Sequence, residues 1–282
     1  MNQLIIKDVT FSYGKKLILD TITMNINNGL VGILGKNGAG KTTLLKIIAT
    51  LYSSKTGYLK LNDMLYEEED FNIRKYIGYL QQDFNMYKNI KGIDYLDFVA
   101  KSKNIENIDS EINKVVNDLN LNEYINKKIK TYSGGIKRRL GIAQAILGDT
   151  KLIILDEPTV GLDPHERNEF RKIIKMISKD RIVLMSTHIT EDVEFLCDKL
   201  IVLHNKQITF EGSVNEFIEN NSKNICVEYV NEELFNEILK QRKVISYQQE
   251  NESICVKYID EKNSSVGKNI TLQDAYMNFL GE

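Results

Sequence analysis

The chain has 282 residues, of which 42% are hydrophobic and 27% are charged, and its formal net charge is −2. This length is sufficient for one large domain, alone or with a small addition, and for a buried core. The nearly neutral charge excludes a global field that attracts nucleic acid or an anionic membrane, and the sequence has neither a transmembrane-length apolar run nor the pattern of a signal peptide.

The amino-terminal part of the chain is predicted to form strands around one glycine-rich loop. Between residues 22 and 26 apolar and polar residues alternate, which is typical of a half-buried strand. Residues 30–34 are apolar or glycine and predict a buried strand directly before the loop, and residues 43–51 predict a helix directly after it. Further strands before residue 81 are predicted at 4–11, 58–61 and 77–80.

The pattern becomes helical between about residues 83 and 147, which predicts a helical insert in a chain that is otherwise rich in strands. Tyr95, Phe98 and Val99 are predicted to share the apolar face of one helix. A second apolar face combines residues at three- and four-residue spacing, namely Ile112, Val115, Val116 and Leu119.

After the insert, strands alternate with helices, which predicts an α/β fold with a parallel core sheet. Residues 152–155 form a continuous apolar run, as expected for a central strand that is covered on both faces. The elements that follow are a helix at 167–178, a strand at 182–185 and a closing hairpin at 200–203 and 207–210. Ligands of such sheets bind at the carboxyl ends of the strands, so the residues that follow the strands are candidates for a site.

The carboxyl-terminal residues predict a small α+β appendage. A polar segment at 219–224 predicts a linker. It divides the chain into a domain of residues 1–218 and an appendage of residues 219–282. The predicted elements of the appendage are strands at 225–230, 244–249 and 253–259 and helices at 232–240 and 272–280.

The glycine-rich loop fits the P-loop pattern G-x-x-x-x-G-K-[ST] at every fixed position. Its residues are Gly35, Lys36, Asn37, Gly38, Ala39, Gly40, Lys41 and Thr42. The glycines allow backbone N–H groups to approach an anion, Lys41 places an ammonium against the outer phosphates, and the Thr42 hydroxyl is suited to bind Mg²⁺. A strand before the loop and a helix after it favour this site over an accidental glycine-rich turn, because the helix N-terminus adds to the attraction for anions.

A second part of the site is predicted at the end of strand 152–155. Asp156 follows the apolar run, at a place where a strand-end carboxylate holds Mg²⁺ through water. Glu157 beside it is a candidate base for the attacking water. A strand followed by Asp-Glu is weak evidence by itself, but together with a complete P-loop it indicates nucleotide hydrolysis.

Ser133-Gly134-Gly135 completes an ordered set of motifs, and with it the chain resembles an ATP-binding cassette (ABC) transporter ATPase over about residues 2–215. The resemblance implies a P-loop NTPase core of ABC ATPase type with an antiparallel β subdomain and the helical insert, followed by the appendage. In chain order the motifs are the P-loop, the glutamine Gln82, the signature Ser133-Gly134-Gly135, the strand ending in Asp156-Glu157, the turn Gly161-Leu162-Asp163, and the histidine His188.

The resemblance also implies a role for each matched residue, with ATP and Mg²⁺ as cofactors. Tyr13 would stack on adenine, although a strand-end aromatic residue also fits a place in the core. The catalytic residues would be Glu157, His188 and Gln82, and the metal would be held by Thr42, Gln82 and Asp156. The remaining contacts to ATP would come from the P-loop with Thr43 and, across a dimer, from Ser133, Gly134, Gly135 and Asp163.

The signature departs from the family pattern at both flanks, because Tyr132 stands where leucine is usual and Ile136 stands where glutamine is usual. The Ser-Gly-Gly that would meet a phosphate is intact, so its implied role is unchanged. A basic run follows the signature, and a solvated helix face is favoured over a phosphate or partner contact for Lys137, Arg138 and Arg139.

The resemblance implies a subunit at the cytoplasmic face of a bacterial membrane that drives separate transmembrane permease subunits. Two ATPase subunits, identical or different, would close head to tail around ATP. A reduced cytosolic compartment is also favoured by three scattered cysteines without metal-binding spacing, Cys197, Cys226 and Cys255.

The single cassette and the ending at residues 272–276 resemble bacterial exporters of drugs, peptides or antibiotics. An importer ATPase is the nearest alternative. A soluble ABC ATPase that acts on ribosomes is disfavoured because such members usually carry two cassettes in one chain, and this chain has one. One that acts on DNA is disfavoured because only about 90 residues separate the P-loop from the signature, too few for a long coiled coil. A regulatory cassette without catalysis is disfavoured because no catalytic position is visibly lost, and no nucleic acid partner is expected.

Overall fold

The protein is described by a computed structural model that covers residues 1–68, 70–82, 87–251, 253–260 and 269–281, without the side chains of residues 70 and 71. The chain forms two compact units. The first comprises Met1–His188 and Leu196–Glu211, and the second comprises Ile189–Phe195 and Gly212–Glu282. Within the described ranges, every helix is too short or too polar to cross a membrane.

The described strands belong to three sheets with the orders β2-β1-β4-β5, β10-β9-β3-β8-β7-β6 and β11-β13-β12. The first and third sheets are antiparallel. In chain order the strands are β1 (Gln3–Tyr13), β2 (Lys16–Asn27), β3 (Gly29–Leu34), β4 (Thr56–Leu61), β5 (Met64–Leu65), β6 (Ile77–Leu80), β7 (Leu152–Asp156), β8 (Ile182–Ser186), β9 (Lys199–His204), β10 (Gln207–Gly212), β11 (Ile225–Val230), β12 (Lys243–Glu250) and β13 (Ser253–Ile259).

Helices flank the second and third sheets or form the insert. Single 3-10 turns occur at Arg74–Tyr76 and Ile129–Thr131. In chain order the helices are α1 (Lys41–Ile48), α2 (Asp70–Ile73), α3 (Gly92–Ser102), α4 (Ile108–Asp118), α5 (Gly134–Ile146), α6 (Pro164–Ile177), α7 (Thr190–Leu196), α8 (Val214–Asn221), α9 (Glu232–Gln241) and α10 (Leu272–Leu280).

The second sheet positions the site. Its strands β9, β3, β8, β7 and β6 run parallel, and β7 and β8 are buried at every residue, as their continuous apolar sequences require. In the strand register, Ser186 lies opposite both Ile33 and Asp156. The carboxyl ends of these strands therefore meet at one edge, from which the P-loop, Glu157 and His188 follow. The predicted α/β fold with an antiparallel β subdomain and a helical insert is confirmed.

The predicted apolar face of α3 is wrong at Phe98, whose side chain is 63% exposed. The buried residues of α3 are Gly92, Leu96 and Ala100, which repeat at four-residue spacing. Glycine and alanine contribute little to a hydrophobic pattern, so the larger Phe98 dominated the prediction. The face predicted for α4 is confirmed, since Ile112, Val115, Val116 and Leu119 are all buried.

The second unit has a small core of its own, which lies between its sheet and α9. That core is formed by Cys226, Val230, Phe235, Ile238, Val256 and Tyr258. The predicted linker is wrong in its first half, because α8 continues to Asn221. Ser213 caps this helix, and Phe217 is fully buried. Tertiary packing therefore stabilises a helix whose last turn is polar and gave no helical signal in the sequence. The predicted boundary after residue 218 falls inside α8 and stays a prediction.

One buried carboxylate fixes the start of α10. Asp274 accepts hydrogen bonds from Lys257 Nζ at 2.5 Å, from Ser246 Oγ at 2.9 Å, and from the backbone N–H and hydroxyl of Thr271, both at 2.9 Å. Thr271 and Asp274 thereby form a capping box. Burial works against the charge of Asp274, but the hydrogen bonds from Lys257, Thr271 and Ser246 outweigh it and lower the pKa of the carboxyl group.

Candidate active site

The P-loop folds around its own lysine. Lys41 is the first residue of α1, and its Nζ donates to the carbonyl oxygens of Gly35 at 2.6 Å and Lys36 at 3.3 Å. Burial lowers the pKa of this ammonium group, while the negative charges of Glu157 and Asp156 act in the opposite direction. The charge is thus held inside the loop, where it faces any anion that the loop binds.

Two glycines of the loop have no room for a side chain. A Cβ on Gly35 would lie 2.5 Å from the carbonyl oxygen of Leu203. Gly40 adopts φ = 109°, and a Cβ there would lie 2.8 Å from Leu19 Cδ2. Because Gly40 is the residue before α1 and carries no capping side chain, the N–H groups of the first turn remain available to an anion.

The carboxylate of Asp156 lies at the end of β7, next to the P-loop. Its Oδ1 accepts hydrogen bonds from Ser186 Oγ at 2.5 Å and from Thr42 Oγ1 at 3.3 Å. Its Oδ2 is buried and has no hydrogen-bond partner among the described residues. A buried carboxylate oxygen without a donor is expected where a cation or a cation-bound water binds, so these residues fit the Mg²⁺ that the resemblance implies.

Glu157 occupies an unusual backbone conformation, with φ = 51°. Its N–H is directed at Ser186 and lies 3.1 Å from both the carbonyl oxygen and the hydroxyl of that residue. The buried side chain places Oε2 at 2.5 Å from Nδ1 of His188. The turn after β7 thus brings two of the predicted catalytic residues into direct contact.

A cavity of about 550 Å³ opens at this edge of the sheet. A volume of this size is typical of a small-molecule site. Its walls combine residues of β1, β2, the P-loop, α1 and the ends of β6 and β7, namely Tyr13, Lys16, Ile18, Asn37, Gly38, Gly40, Lys41, Thr42, Thr43, Gln82 and Glu157. The structure therefore brings together predicted residues that are up to about 140 positions apart in the sequence.

Tyr13 lines this cavity and also contacts the edge of the core. The residue is 47% exposed, and its ring makes edge-to-face contacts with Phe11 and Tyr52, at centroid distances of 5.0 and 5.8 Å. Lys16 and Ile18 also line the cavity and were not predicted. A signal for Lys16 was present in the sequence, because a short hairpin after Tyr13 pairs that residue with Lys16.

Gln82 is exposed in the cavity wall, and its backbone is attached to the signature helix. Arg138 Nη1 of α5 donates to the carbonyl oxygen of Gln82 at 3.1 Å. Gln144 Nε2, on the same helix, donates to the carbonyl oxygen of Tyr79 at 2.8 Å. Arg138 thus binds the backbone two residues after β6 at the surface, and the predicted solvated face of the basic run stays a prediction.

The signature and Asp163 lie outside the described lining of the cavity. Ser133 caps α5, with its Oγ accepting from the N–H of Ile136 at 3.3 Å. Asp163 caps α6, with its Oδ1 accepting from the N–H of Glu166 at 2.8 Å. Ser133 and Gly134 are exposed at the helix N-terminus, where N–H groups and the helix dipole favour an anion from outside the chain.

The unusual Tyr132 has a structural role in the insert. Its buried ring brings the hydroxyl within 2.7 Å of the carbonyl oxygen of Tyr124, to which it donates. A Cβ on Gly92 would lie 2.4 Å from the same hydroxyl, so glycine at the start of α3 is matched to tyrosine at this position. Burial raises the pKa of Tyr132. The departure from leucine thus adds a hydrogen bond and leaves the cap of α5 in place.

Comparison with known proteins gives consistent results. A family model described as ABC transporter matches residues 19–160. The uncharacterised ABC transporter ATP-binding protein YdbJ of Bacillus subtilis is 38% identical over 71% of this chain and 66% of its own length. The lantibiotic transport ATP-binding protein SrtF of Streptococcus pyogenes is 35% identical over 73% of this chain and 89% of its own length. A solved ATP binding subunit of an ABC transporter has the same fold, with a TM-score of 0.70 and 24% identity over 77% of this chain and 92% of its own.

Proposed function

The chain belongs to the ABC transporter family, and from that premise we propose that it powers the export of a drug, peptide or similar substrate through separate membrane subunits. As a member of this family it binds and hydrolyses ATP. The observation that carries the proposal is the cavity in which Lys41, Gln82 and Glu157 meet beside the exposed ring of Tyr13. Each of these residues has a chemical task in the binding or cleavage of ATP.

In this proposal, the P-loop cradles the phosphates with its N–H groups and with the ammonium of Lys41. Tyr13 stacks on adenine, which its half-exposed ring permits. Thr42, Asp156 and Gln82 hold Mg²⁺, and the hydrogen bond from Thr42 to Asp156 leaves the lone pairs of the hydroxyl oxygen free to face the metal. When bound, Mg²⁺ would supply positive charge that offsets the negative charge developing on the phosphates during hydrolysis.

We assign Glu157 the role of general base. Its carboxylate takes a proton from the water that attacks the γ-phosphorus, while the bond from phosphorus to the bridging oxygen of ADP breaks. His188, at 2.5 Å from Glu157 Oε2, orients that carboxylate and the γ-phosphate. This pairing supports hydrolysis at the site as well as binding.

The signature completes the site from a second chain. Ser133 and Gly134 are exposed at the start of α5, outside the described lining of the cavity, and with the buried Gly135 they form a helix N-terminus that suits a phosphate held by a partner. Asp163 lies in the same kind of position at the start of α6 and would contact the facing subunit. ATP would then close a head-to-tail dimer, identical or mixed in its two subunits.

The transmembrane subunits would dock near residues 82–91, of which 83–86 lie outside the described residues, at the cytoplasmic face of a bacterial membrane. Tyr87 lies in this segment with its side chain 74% exposed, and Arg138 attaches Gln82 to the signature helix. A contact there would reach the nucleotide site and the signature together. The relative SrtF is named a lantibiotic transport protein, which supports a peptide as the transported substrate.

Purification from membranes tests the proposal. The tagged chain should carry a membrane protein out of detergent-solubilised membranes, and Tyr87→Glu should lose that protein while ATP binding is retained. Tyr229→Glu is the matched control, because Tyr229 is also exposed, at 59%, but lies in the second unit. In vesicles that contain both proteins, ATP outside should drive substrate inward for an exporter. Substrate release from loaded vesicles would favour the importer, and a ribosome or DNA in place of the membrane protein would contradict the proposal.

A further inference from the structure

Two buried oxygen atoms near the nucleotide site have no hydrogen-bond partner among the described residues, namely Tyr79 Oη and Asp156 Oδ2. We propose that Tyr79 is a positioning residue of the site, whose hydroxyl orients the Asp156 carboxylate by donating to Oδ2, directly or through one water. This inference rests on the proposed ATP-binding function. Tyr79 belongs to none of the motifs found in the sequence, and it does not line the cavity.

The strand register places the two side chains on one face of the sheet. Tyr79 lies opposite Ile154 in the parallel pair of β6 and β7. Asp156 follows Ile154 by two residues, so its side chain points to the same face. This is the face that α1 covers, since both Ile154 and Tyr79 pack against the core that contains the apolar residues of α1. An aromatic side chain reaches a diagonal neighbour in an adjacent strand, and that neighbour is Asp156.

Electrostatics also connect the two groups. Burial raises the pKa of Tyr79, and the negative charge of Asp156 raises it further. A phenol hydroxyl is a donor at neutral pH in any case, so the geometry alone allows it to donate to Asp156. A buried donor and a buried charged acceptor on one face of adjacent strands gain free energy when a hydrogen bond joins them, directly or through one water.

The arrangement around Asp156 explains what this donor would do. Oδ1 already receives two hydrogen bonds, from Ser186 and Thr42. Oδ2 has room for two more partners, because a carboxylate oxygen accepts at two lone pairs. A hydrogen bond from Tyr79 on the protein side fixes the carboxylate plane and leaves the other lone pair of Oδ2 for a metal-bound water. Because Tyr79 lies on β6, three residues before Gln82, it also connects the strand of Gln82 to the metal carboxylate.

Tyr79→Phe isolates the hydroxyl, because it keeps the ring in the core. Binding of mant-ATP is measured with EDTA and with MgCl₂, and the affinity of the nucleotide complex for Mn²⁺ is measured by electron paramagnetic resonance. We expect Mg-nucleotide and Mn²⁺ affinity to fall about tenfold, the loss of one hydrogen bond to a charged group, while affinity in EDTA is unchanged. The melting temperature without nucleotide should stay the same or rise, since the hydroxyl has no partner there.

Tyr66→Phe is the matched control. Its hydroxyl is buried in the same core but donates to the carbonyl oxygen of Ile48 at 3.0 Å. This change should lower the melting temperature and leave the metal dependence of binding as in the wild type. Equal metal dependence in Tyr79→Phe and wild type, or an equal loss with and without metal, overturns the inference. A wild-type chain that binds no mant-ATP in either condition overturns the nucleotide site itself and this inference with it.

Discussion

Two buried aspartates, one in each unit, have opposite surroundings. Asp156 in the first unit is 1% exposed and Asp274 in the second is 2% exposed. Asp274 is fully paired, with a lysine, two hydroxyls and a backbone N–H as donors. Asp156 has donors on one oxygen only, and its other oxygen is buried without a partner in the described structure.

The difference separates a structural carboxylate from a functional one. Burying a charge is unfavourable unless it is paired, so a complete set of donors indicates that the group stabilises the fold. An incomplete set indicates that the missing partner is supplied by something outside the chain. By this criterion the first unit is organised for a ligand, and the Asp274 cluster of the second unit is organised for stability.

The largest effect on the ligand side is expected from Lys41→Ala. The lysine is held in the phosphate loop by two carbonyl oxygens, so its loss removes positive charge from the site and little from the core. We expect ATP hydrolysis to fall by at least about a thousandfold, as for other cations that stabilise a transferring phosphoryl group. Steady-state phosphate release is the measurement. Lys46→Ala, on the same helix, is the control, and activity of Lys41→Ala within about threefold of wild type would rule out its role.

Glu157→Gln should lower the rate of hydrolysis by about 10²–10⁴-fold, because glutamine cannot accept the proton of the attacking water. Glutamine keeps the size and hydrogen-bonding capacity of glutamate, so ATP should still bind and hold the dimer closed. Size-exclusion chromatography should show a dimer with Mg-ATP, but a monomer with Mg-ADP or after a further Ser133→Arg change. Monomers in all three samples, with ATP binding verified, would contradict the two-chain site and draw attention to Tyr132 and Ile136.

On the structural side, Asp274→Asn should destabilise the second unit by about 3 kcal/mol at pH 7, because it leaves Lys257 buried without its counter-charge. The lowered pKa of Asp274 sets the sign of the pH dependence: the stabilisation is present above the ordinary carboxyl pKa of 3.8 and is lost as the pH falls through the lower folded-state value. Urea unfolding at several pH values measures it. Asp63→Asn removes the exposed pair with Lys60 and should leave the stability nearly unchanged. An equally small loss of stability in Asp274→Asn would contradict the structural role assigned to this carboxylate.

The smallest effect is expected from removal of residues 213–282, which form most of the second unit. A chain that ends after Gly212 should bind ATP within about threefold of the full chain, because every described residue that lines the cavity precedes that point. Its α7 would lose the hydrogen bond from the N–H of Leu272 to Glu194, so lower solubility is expected. Fluorescent-nucleotide titration measures the affinity, with Lys41→Ala in the shortened chain as the control. A folded shortened chain that binds no ATP would show that the units are not independent in function.

Much of the first unit was predictable because its signals are local. The apolar runs of β7 and β8 and the alternation in β2 come directly from sequence. The glycine pattern before α1 is also a local signal, because a single turn around one bound ligand determines the spacing of the glycines. The site residues share an edge for a topological reason, because parallel strands place their carboxyl ends together.

The parts that were missed depend on contacts between distant segments. The buried face of α3 contains Gly92, where the hydroxyl of Tyr132, forty residues later in the sequence, leaves no room for a side chain. The hydrogen bond from Arg138 to the carbonyl oxygen of Gln82 exists only because the fold brings the chain after β6 next to α5. Tyr79 looks like an ordinary strand residue until the register with β7 brings it near Asp156. None of these pairs has a characteristic spacing that sequence alone reveals.

The backbone at Glu157 has a consequence for evolution and engineering. A non-glycine residue with φ = 51° carries a local strain of about 1–3 kcal/mol, which asparagine or glycine would relieve. Selection for thermal stability alone would therefore favour Glu157→Asn or Glu157→Gly and would discard the proposed general base. The residue that gives the highest thermal stability at this position therefore differs from the residue expected to give the highest ATPase activity. Screens for stability of this chain need a parallel assay of ATP turnover.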